Sequence, residues 1–494
     1  MRRLVPILIL GCSAAWAGPD FEETIIEAGF QVQQPLLFTS LTKGQRHVVL
    51  AGRDENHRQR LAVYSLDYPA EPFLSLSPGV HLIAYDVGRI GEADSLFFVE
   101  PGRVMRYDIA TGEIVEFTKI RSIYGQERVG RIVPIDFVRD VNGDELDDLV
   151  LPDTAGYRLR LQRPDGSLGE EVVLQESSSM RVSDGMVSFE SRPLVMGSLT
   201  GDDLDDLAVW RGDTLRIYPQ LGDYRFEGEP DIHPLRLNLQ TEAEIRAIEA
   251  GRDTGAMNQE GLMETRIWRI EDLNGDKLPD IMTESLLNKG VFDKENDFRL
   301  HLGRMDGDRI DYDPVEDTLL AGEGLQYGLV TSDIDGDGRK DLLIRRVRLS
   351  FGRVIRALLS GNVSLQLYFY RMNEDGTYSE EANYVTRTNV KFSVSSGQVD
   401  IPAIKVADFD ADGLQDLMMQ RDDDELRFYA GIPSPQLFND DATELVLELP
   451  RNGDLVTIED INLDGRADLV VRYNEADADG ATRIVRLLIS RPAA

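Results

Sequence analysis

Five short acidic segments carry the side chains of this sequence that are best suited to chemistry. In each, oxygen-bearing side chains recur at relative positions 1, 3, 5 and 9, and Leu or Ile with an apolar run follows. Oxygens at positions 1, 3 and 5 form the front half of a calcium-binding turn. The five sets are Asp140, Asn142, Asp144 and Asp148; Asp272, Asn274, Asp276 and Asp280; Asp333, Asp335, Asp337 and Asp341; Asp408, Asp410, Asp412 and Asp416; and Asp460, Asn462, Asp464 and Asp468.

This spacing favours a divalent cation that prefers oxygen ligands. Gly338, Gly413 and Gly465 occupy position 6, where a calcium-binding turn bends sharply. Side-chain oxygens, a backbone carbonyl and water together suit Ca²⁺, whereas Mg²⁺ usually keeps several waters. All-oxygen ligation argues against Zn²⁺ and Cu²⁺. We therefore expect about five Ca²⁺ sites, where the cation would offset the repulsion among clustered carboxylates.

The alternative interpretation of any single copy is an ordinary solvated turn, because Asp, Asn and Gly are common in turns. Repetition at one spacing, each time before an apolar strand, argues for metal binding. A degenerate copy contains Ser198, Thr200, Asp202 and Asp206. A weaker copy keeps only Asp86 and Asp94, and a further position near residues 39–47 has no acid.

The acidic segments are each flanked by strand-like runs. Apolar and polar residues alternate with period two in residues 215–218 and 426–429, which is typical of β-strands. The complete repeat predicts a four-stranded antiparallel sheet, and such sheets stacked radially form an all-β propeller. The eight loop positions favour eight blades, with seven as the alternative because the first position lacks acids. Residues 24–30 predict a lone N-terminal strand that completes the last blade.

Composition excludes several classes of function. The 494 residues include 53 Lys and Arg against 88 Asp and Glu, a net charge of −35. Such a charge argues against binding nucleic acid or an anionic membrane through bulk electrostatics. A single Cys excludes a disulfide framework and Cys-rich metal sites. Five His without an H-E-x-x-H motif argue against a zinc hydrolase.

Residues 1–17 have the pattern of an export signal. A short basic region precedes the apolar residues 4–10, and Ala15 and Ala17 suit cleavage before Gly18. The alternative is a lipoprotein signal with Cys12 as the lipidated residue. This stretch is too short to span a bilayer, and no later segment is apolar enough. We expect an exported, periplasmic or secreted protein whose residues 18–494 form one propeller domain.

The loops resemble those of the FG-GAP and VCBS repeat family, whose calcium-loop propellers include the head of integrin α subunits. The similarity runs from about residue 35 to residue 490 and rests on the five segments above. No Phe-Gly or Gly-Ala-Pro signature flanks the loops, so the chain is closer to bacterial VCBS-type repeats. The resemblance implies a β-propeller in which those Asp and Asn residues hold Ca²⁺. It implies neither a partner nor a reaction, because propellers host many functions.

Two inserted segments, near residues 233–265 and 345–400, are where we expect a function to lie. The first has a capping box, Thr241 with Glu244, that predicts a short helix. The second is basic and is either a docking patch for a partner protein or acidic polymer, or pairs with the protein's own acids. The residues of this patch are Arg345, Arg346, Arg348, Arg353 and Arg356.

Two functions from different classes are compatible with these patterns. One is a non-catalytic scaffold that binds a protein or a glycan through its loops. The other is a calcium-dependent carbohydrate-active enzyme such as a polysaccharide lyase, which needs a base and a charge-neutralising group in a cleft. His233, His301 and Tyr327 are candidate bases, but no spacing singles out any of them. The sequence favours the binding scaffold.

Overall fold

The computed structural model is almost entirely β-structure. It describes residues 18–79, 81–125, 132–183, 186–202, 204–222, 225–241, 243–245, 247–248, 262–290, 293–348, 360–393, 397–433 and 435–492. The predicted export signal and Cys12 lie outside these ranges. No helix in the described part of the chain is both long and apolar enough to cross a membrane.

Eight sheets of four or five strands follow one another along the chain, and we number them as blades 1 to 8. The first strand, β1 (Asp20–Glu27), belongs to the last blade. Blade 1 contains β2 (Gln31–Val32), β3 (Leu37–Thr42), β4 (Gln45–Arg53), β5 (Gln59–Ser65) and β6 (Leu74–Leu76). Blade 2 contains β7 (Ala84–Gly88), β8 (Ser95–Glu100), β9 (Arg103–Asp108), β10 (Glu113–Lys119) and β11 (Val133–Pro134). Blade 3 contains β12 (Val138–Arg139), β13 (Asp148–Asp153), β14 (Gly156–Arg160) and β15 (Val172–Leu174).

The second half of the chain repeats this order, with two added hairpins. These hairpins are β16 (Ser179–Ser183) with β17 (Met186–Glu190), and β25 (Gly303–Asp306) with β26 (Arg309–Tyr312). Blade 4 contains β18 (Val195–Gly197), β19 (Asp206–Arg211), β20 (Thr214–Tyr218) and β21 (Asp231–Pro234). Blade 5 contains β22 (Met263–Glu271), β23 (Asp280–Gly290), β24 (Asp293–His301) and β27 (Thr318–Leu320). Blade 6 contains β28 (Leu325–Ser332), β29 (Asp341–Val347), β30 (Asn362–Tyr370), β31 (Tyr384–Phe392) and β32 (Val399–Asp400).

The last two blades complete the ring. Blade 7 contains β33 (Ile404–Ala407), β34 (Asp416–Asp422), β35 (Glu425–Gly431) and β36 (Phe438–Val446). Blade 8 contains β37 (Val456–Glu459), β38 (Asp468–Arg472), β39 (Ile484–Arg491) and β1. The 3-10 turns are Ile123–Gly125, Gly453–Leu455 and Ala481–Arg483, and residues 243–245 and 247–248 are helical. The predicted eight-bladed propeller is therefore confirmed, and so is the N-terminal strand in the last blade.

Apolar side chains fill the space between successive blades, and this explains the alternation seen in the sequence. In strand β4, Val48 and Leu50 pack towards blade 8, whereas Val49 and Ala51 pack towards blade 2. Each strand thus sends alternate residues to two neighbouring blades. Eight buried clusters follow this rule, one for each pair of adjacent blades, including blades 8 and 1.

The first insert and the first loop position also take defined forms. The backbone N–H of Thr241 donates to the Glu244 carboxylate at 2.8 Å, and the Glu244 N–H donates to the Thr241 hydroxyl at 3.3 Å. This is the predicted capping box, and helical residues follow it. The acid-free position near residues 39–47 is a tight hairpin between β3 and β4. Residues 349–359 of the basic insert lie outside the described residues.

Candidate metal centres

The acidic loops all connect the first and second strands of their blades, so they lie at one end of the sheets. Neighbouring loops are hydrogen-bonded through their backbones. The N–H of Lys340 donates to the carbonyl of Leu273 at 2.7 Å, and the N–H of Gln415 donates to the carbonyl of Ile334 at 2.8 Å. Blades 7 and 8 are joined in the same way, by Ala467 and the Asp408 carbonyl at 2.7 Å. The loops therefore form a continuous belt across blades 5 to 8.

Two left-handed residues shape each of the five loops. The backbone φ angle at position 6 lies between 65° and 90° in the five loops. The glycines found at this position in three loops had predicted such a sharp turn. Position 4 is left-handed too, with φ between 59° and 79°, and Ala411 and Leu463 occupy it in two loops. Leu463 could not be recognised from sequence, because leucine is not a residue that favours this conformation. The double reversal turns the loop back on itself, so that its acidic side chains converge.

The aspartate at position 1 organises the turn. In blade 7, one carboxylate oxygen of Asp408 accepts from the N–H of Asp412 at 3.2 Å, and the other accepts from Gly413 at 2.9 Å. Asp460 does the same in blade 8, accepting from Asp464 and Gly465 at 3.0 Å each. The backbone N–H groups of the turn therefore hold these carboxylates in place, and the carboxylates in turn stabilise the turn.

The aspartate at position 9 begins the second strand and is buried. In blade 7, Asp416 accepts from the N–H of Phe409 at 3.1 Å and from the N–H of Gly431 at 2.8 Å. It thereby joins the loop to the end of the third strand. Burial raises the pKa of Asp416 to about 7. The same burial raises the pKa of Asp148, Asp280 and Asp341 to about 7, and that of Asp468 to about 6. Position 9 thus has a structural role that its spacing alone did not reveal.

The loops fall into two kinds according to position 3. Where this residue is Asn, its amide donates to the carboxylate at position 5, as from Asn142 to Asp144 at 3.1 Å and from Asn462 to Asp464 at 3.0 Å. The amide relieves part of the repulsion between neighbouring acids. Asn142 is only 6% exposed, and its side-chain oxygen has no hydrogen-bond partner. This buried, unpartnered acceptor favours a bound cation.

Where position 3 is Asp, the loop is entirely acidic. Carboxylate oxygens of Asp333, Asp335 and Asp337 lie within 4.8 Å of one another, and so do those of Asp408, Asp410 and Asp416. In the blade 6 loop, the Arg371 guanidinium contacts Asp335 and reaches Asp337 at 3.1 Å. Arg339 also pairs with Asp337. A protein cation therefore already offsets the charge of this loop.

The blade 7 loop differs from the blade 6 loop in its ion pairs. No Lys or Arg forms an ion pair with Asp408, Asp412 or Asp416 within the part of the chain that the structure describes. Burial, together with Asp410 and Asp408, raises the pKa of Asp412. A hard divalent cation fits these oxygen donors best, because it would relieve the repulsion that they share.

The degenerate copies use their acids for hydrogen bonds within the protein. Asp206 accepts from the Thr200 N–H and from the Thr200 hydroxyl, both at 2.9 Å. Asp86 accepts from the N–H groups of Phe137 and Val138 at 2.7 and 2.8 Å, which ties blade 2 to blade 3. The buried acid is therefore at position 9 in the Ser198 copy, where Asp206 holds it, but at position 1 in the weaker copy, where it is Asp86.

The basic docking patch requires one correction. Arg346 is buried, because its guanidinium donates to the Gln326 side chain at 2.9 Å and lies 4.2 Å from the ring of Tyr368. It therefore cannot belong to an exposed patch. Arg348 lies 3.5 Å from Glu323, and Arg345 is in strand β29. Arg353 and Arg356 lie outside the described residues.

The candidate bases lie in three different blades. His233 is half-buried in blade 4, with Nε2 3.8 Å from the Asp311 carboxylate. His301 in blade 5 is buried, has Nδ1 3.0 Å from the Asp313 carbonyl, and has its pKa lowered by that burial. Burial raises the pKa of Tyr327 in blade 6. Each candidate base therefore lies in a local environment of its own, in a different blade.

Comparisons with known proteins assign no family to this chain. No family model matches the chain, and no curated protein matches it. An Agrocybe aegerita lectin that recognises non-reducing terminal N-acetylglucosamine aligns at 13% identity and a TM-score of 0.40, over 85% of this chain and 94% of the lectin. The Dos1 propeller aligns at 9% identity and a TM-score of 0.39, over 96% and 95% of the two chains. The blade count itself rests on the eight sheets described above.

Proposed function

We propose that this chain is an exported, calcium-stabilised β-propeller that acts as a non-catalytic scaffold for a protein or glycan ligand. The observation that carries the calcium part is the blade 7 loop, where Asp408, Asp410 and Asp416 converge on one point. Oxygen donors, left-handed turns and the unpartnered oxygen of Asn142 support the same proposal in the other loops. The resemblance of the loops to those of FG-GAP and VCBS repeats agrees with this role.

The ligands would come from positions 1, 3, 5 and 9 of each loop. The cation would supply positive charge where acids are concentrated. Residues of the chain do the remaining work: position 1 fixes the turn, and position 9 anchors it to the third strand. Because neighbouring loops share backbone hydrogen bonds, stabilising one loop also supports the next. Metal affinity would then contribute to the free energy of folding.

Metal content and thermal unfolding of the purified protein test this proposal. We expect bound Ca²⁺ after extensive dialysis, and a melting temperature that falls by several degrees in chelator. Asp412→Asn should reduce the calcium-induced shift. Asp424→Asn is the matched control, because Asp424 is exposed and lies in the β34–β35 turn, outside the five acidic loops. Calcium-free protein with the same melting temperature in both buffers would contradict the calcium part.

The scaffold part requires a separate experiment. Immobilised protein in calcium buffer should retain a glycan or a protein without altering it chemically. Release of unsaturated sugar from a polysaccharide would instead identify a lyase and would overturn the non-catalytic assignment.

A further inference from the structure

Two buried arginines in the described part of the chain, Arg346 and Arg472, have no carboxylate partner, but the guanidinium of Arg346 is held by Gln326 and the Tyr368 ring. Arg472, the last residue of strand β38, is only 6% exposed. Among the described residues, its one side-chain hydrogen bond runs from Nη1 to the backbone carbonyl of Gln34 at 2.8 Å. Nε is buried without a partner, and no ion pair is formed with any described Asp or Glu. Burial lowers the pKa of Arg472, and the neighbouring Tyr85 offsets only part of this effect.

An uncompensated buried charge is costly, because a guanidinium loses its hydration without gaining a counter-ion. Most other arginines of the structure do have acid partners. Arg158, which is equally buried, lies 2.7 Å from Asp153. A residue such as Arg472 therefore points to a ligand that brings its own negative charge.

Arg472 lines an open cleft of about 500 Å³ between blades 8 and 1. The cleft lies at the ends of the strands opposite the acidic loops, because Arg472 ends the strand that Asp468 begins. Its polar lining includes Arg53, Gln31, Gln33 and Thr482. Glu475 is the one acid among its lining residues.

The lining suits a ligand that is rich in hydroxyl groups. The side chains of Gln31, Gln33 and Thr482 make no hydrogen bond to any other described residue, so their donors and acceptors are available. A cavity of this size holds a ligand of one or a few sugar rings. Guanidinium groups bind carboxylates in a bidentate manner, which a neutral sugar cannot match.

A larger cleft in blades 6 to 8 offers a useful contrast. It has a volume of about 790 Å³ and is lined by residues that include Asp422 and Asp423. Lys391 lies 2.8 Å from both of these carboxylates, so its charge is paired within the protein. Arg472 has no comparable partner, which is why the smaller cleft carries the inference.

We propose that the cleft between blades 8 and 1 binds the carboxylate of a sugar acid, with Arg472 as its charge partner and Gln31, Gln33 and Thr482 as partners of its hydroxyl groups. This proposal names the ligand class of the scaffold function and rests on that part of the proposed function. It is independent of calcium.

Titration calorimetry of the full chain in calcium buffer tests the proposal. The probes are galacturonate and glucuronate with their short oligomers, galactose as the uncharged control, and a short peptide with a free C-terminal carboxylate. We expect a sugar acid to bind at least tenfold more tightly than galactose, and Arg472→Met to weaken it at least tenfold. The matched control is Arg427→Met, because Arg427 is paired with Glu425 and Glu444 in blade 7.

The melting temperature of Arg472→Met shows whether Arg472 has a ligand-binding or a structural role. Arg472→Met should fold with an unchanged or higher melting temperature, since it removes an unpaired buried charge. If this variant melts well below the wild type, Arg472 is a structural residue, which contradicts its assignment. Binding is then decided by Thr482→Val, where weaker sugar-acid binding supports the cleft and unchanged binding rejects it.

Three further results would overturn the proposal: no sugar acid bound by the wild type, equal binding by Arg472→Met, or tighter binding of the peptide. The first of these leaves the calcium experiment untouched, because calcium uptake is measured separately. Conversely, if the protein binds a sugar acid but no calcium, only the calcium part of the proposed function is rejected.

Discussion

Ile26, near the beginning of the described chain, lies opposite Val485, near its end. Both side chains are completely buried, in the cluster that also contains Val48 and Leu50 of blade 1. The N-terminal strand therefore does more than add a fourth strand to blade 8. It also supplies part of the apolar interface through which the ring closes.

This arrangement predicts opposite outcomes for two neighbouring isoleucines. Ile26→Ala should lower the free energy of unfolding by about 2–5 kcal/mol, because it leaves a cavity in the closing interface. Ile25 points away from that interface and is 44% exposed, so Ile25→Ala should cost less than about 1 kcal/mol. Urea unfolding followed by circular dichroism measures both. Similar losses would mean that ring closure does not depend on this contact.

A second pair of variants isolates the left-handed backbone of the acidic loops. An added Cβ at Gly465 or at Gly29 would meet no atom within 4 Å, but only Gly465 has positive φ, at 84°. Gly465→Ala should therefore cost about 1–2 kcal/mol through backbone strain alone. Gly29→Ala should be neutral or stabilising.

The comparison is made by urea unfolding in chelator, so that metal does not contribute. Equal effects of the two substitutions would show that the turn tolerates an L-residue at position 6. Glu145 and Lys277 already occupy this position in two loops, with φ of 65° and 71°. Those loops accept the strain that glycine avoids.

The sequence was sufficient for the fold because its signals were local and repeated. Period-two alternation predicted the strands, and the recurring loops predicted eight blades. Spacing could not show which residues of other strands reach a loop, as Arg371 does. Nor could it show that Arg346 and Arg472 are buried, since arginine in a strand ordinarily faces solvent. The candidate cleft was therefore beyond prediction from sequence.

Asp86 predicts a specific dependence of stability on pH. It is buried between blades 2 and 3, and burial raises its pKa from 3.8 to about 7. The folded state therefore favours the protonated carboxyl. This contribution to stability is complete below about pH 4 and is lost as the pH rises through about 7, with an upper bound on the order of 4 kcal/mol.

Urea unfolding in chelator at several pH values between 4 and 8 measures this contribution. We expect Asp86→Asn to show a smaller decline of stability with rising pH than the wild type. Asp424→Asn, at an exposed position, should keep the wild-type slope. Parallel curves for wild type and Asp86→Asn would mean that Asp86 does not titrate differently in the folded and unfolded states.

Arg371 distinguishes the blade 6 loop from the others. It precedes Met372, whose N–H donates to the position-9 carboxylate of Asp341 at 2.9 Å. The residues at the corresponding place in blades 3, 4, 5, 7 and 8 are uncharged: Leu161, Pro219, Leu302, Ala430 and Ile489. Among the acidic loops, and within the described residues, this is therefore the one that pairs with a guanidinium from its own third strand.

We expect Arg371→Met to increase the affinity of this loop for Ca²⁺ by about 10- to 100-fold. The reason is that a cation would no longer have to displace charged hydrogen bonds worth about 1.5–3 kcal/mol each. In chelator the same variant should be less stable than the wild type, because Asp335 and Asp337 lose the guanidinium that pairs with both of them. Calcium titration calorimetry and thermal unfolding measure the two effects.

Higher affinity for calcium together with lower stability in chelator would indicate that the guanidinium and the metal compete for the same carboxylates. Arg427→Met removes an arginine from a paired site outside the loops, so it should change neither calcium affinity nor the calcium-dependent stabilisation. If Arg371→Met binds calcium no more tightly than the wild type, the guanidinium does not occupy the metal position. Removing the guanidinium would then not improve calcium binding by the blade 6 loop, and Arg371 would be only a bridge between the loop and the third strand.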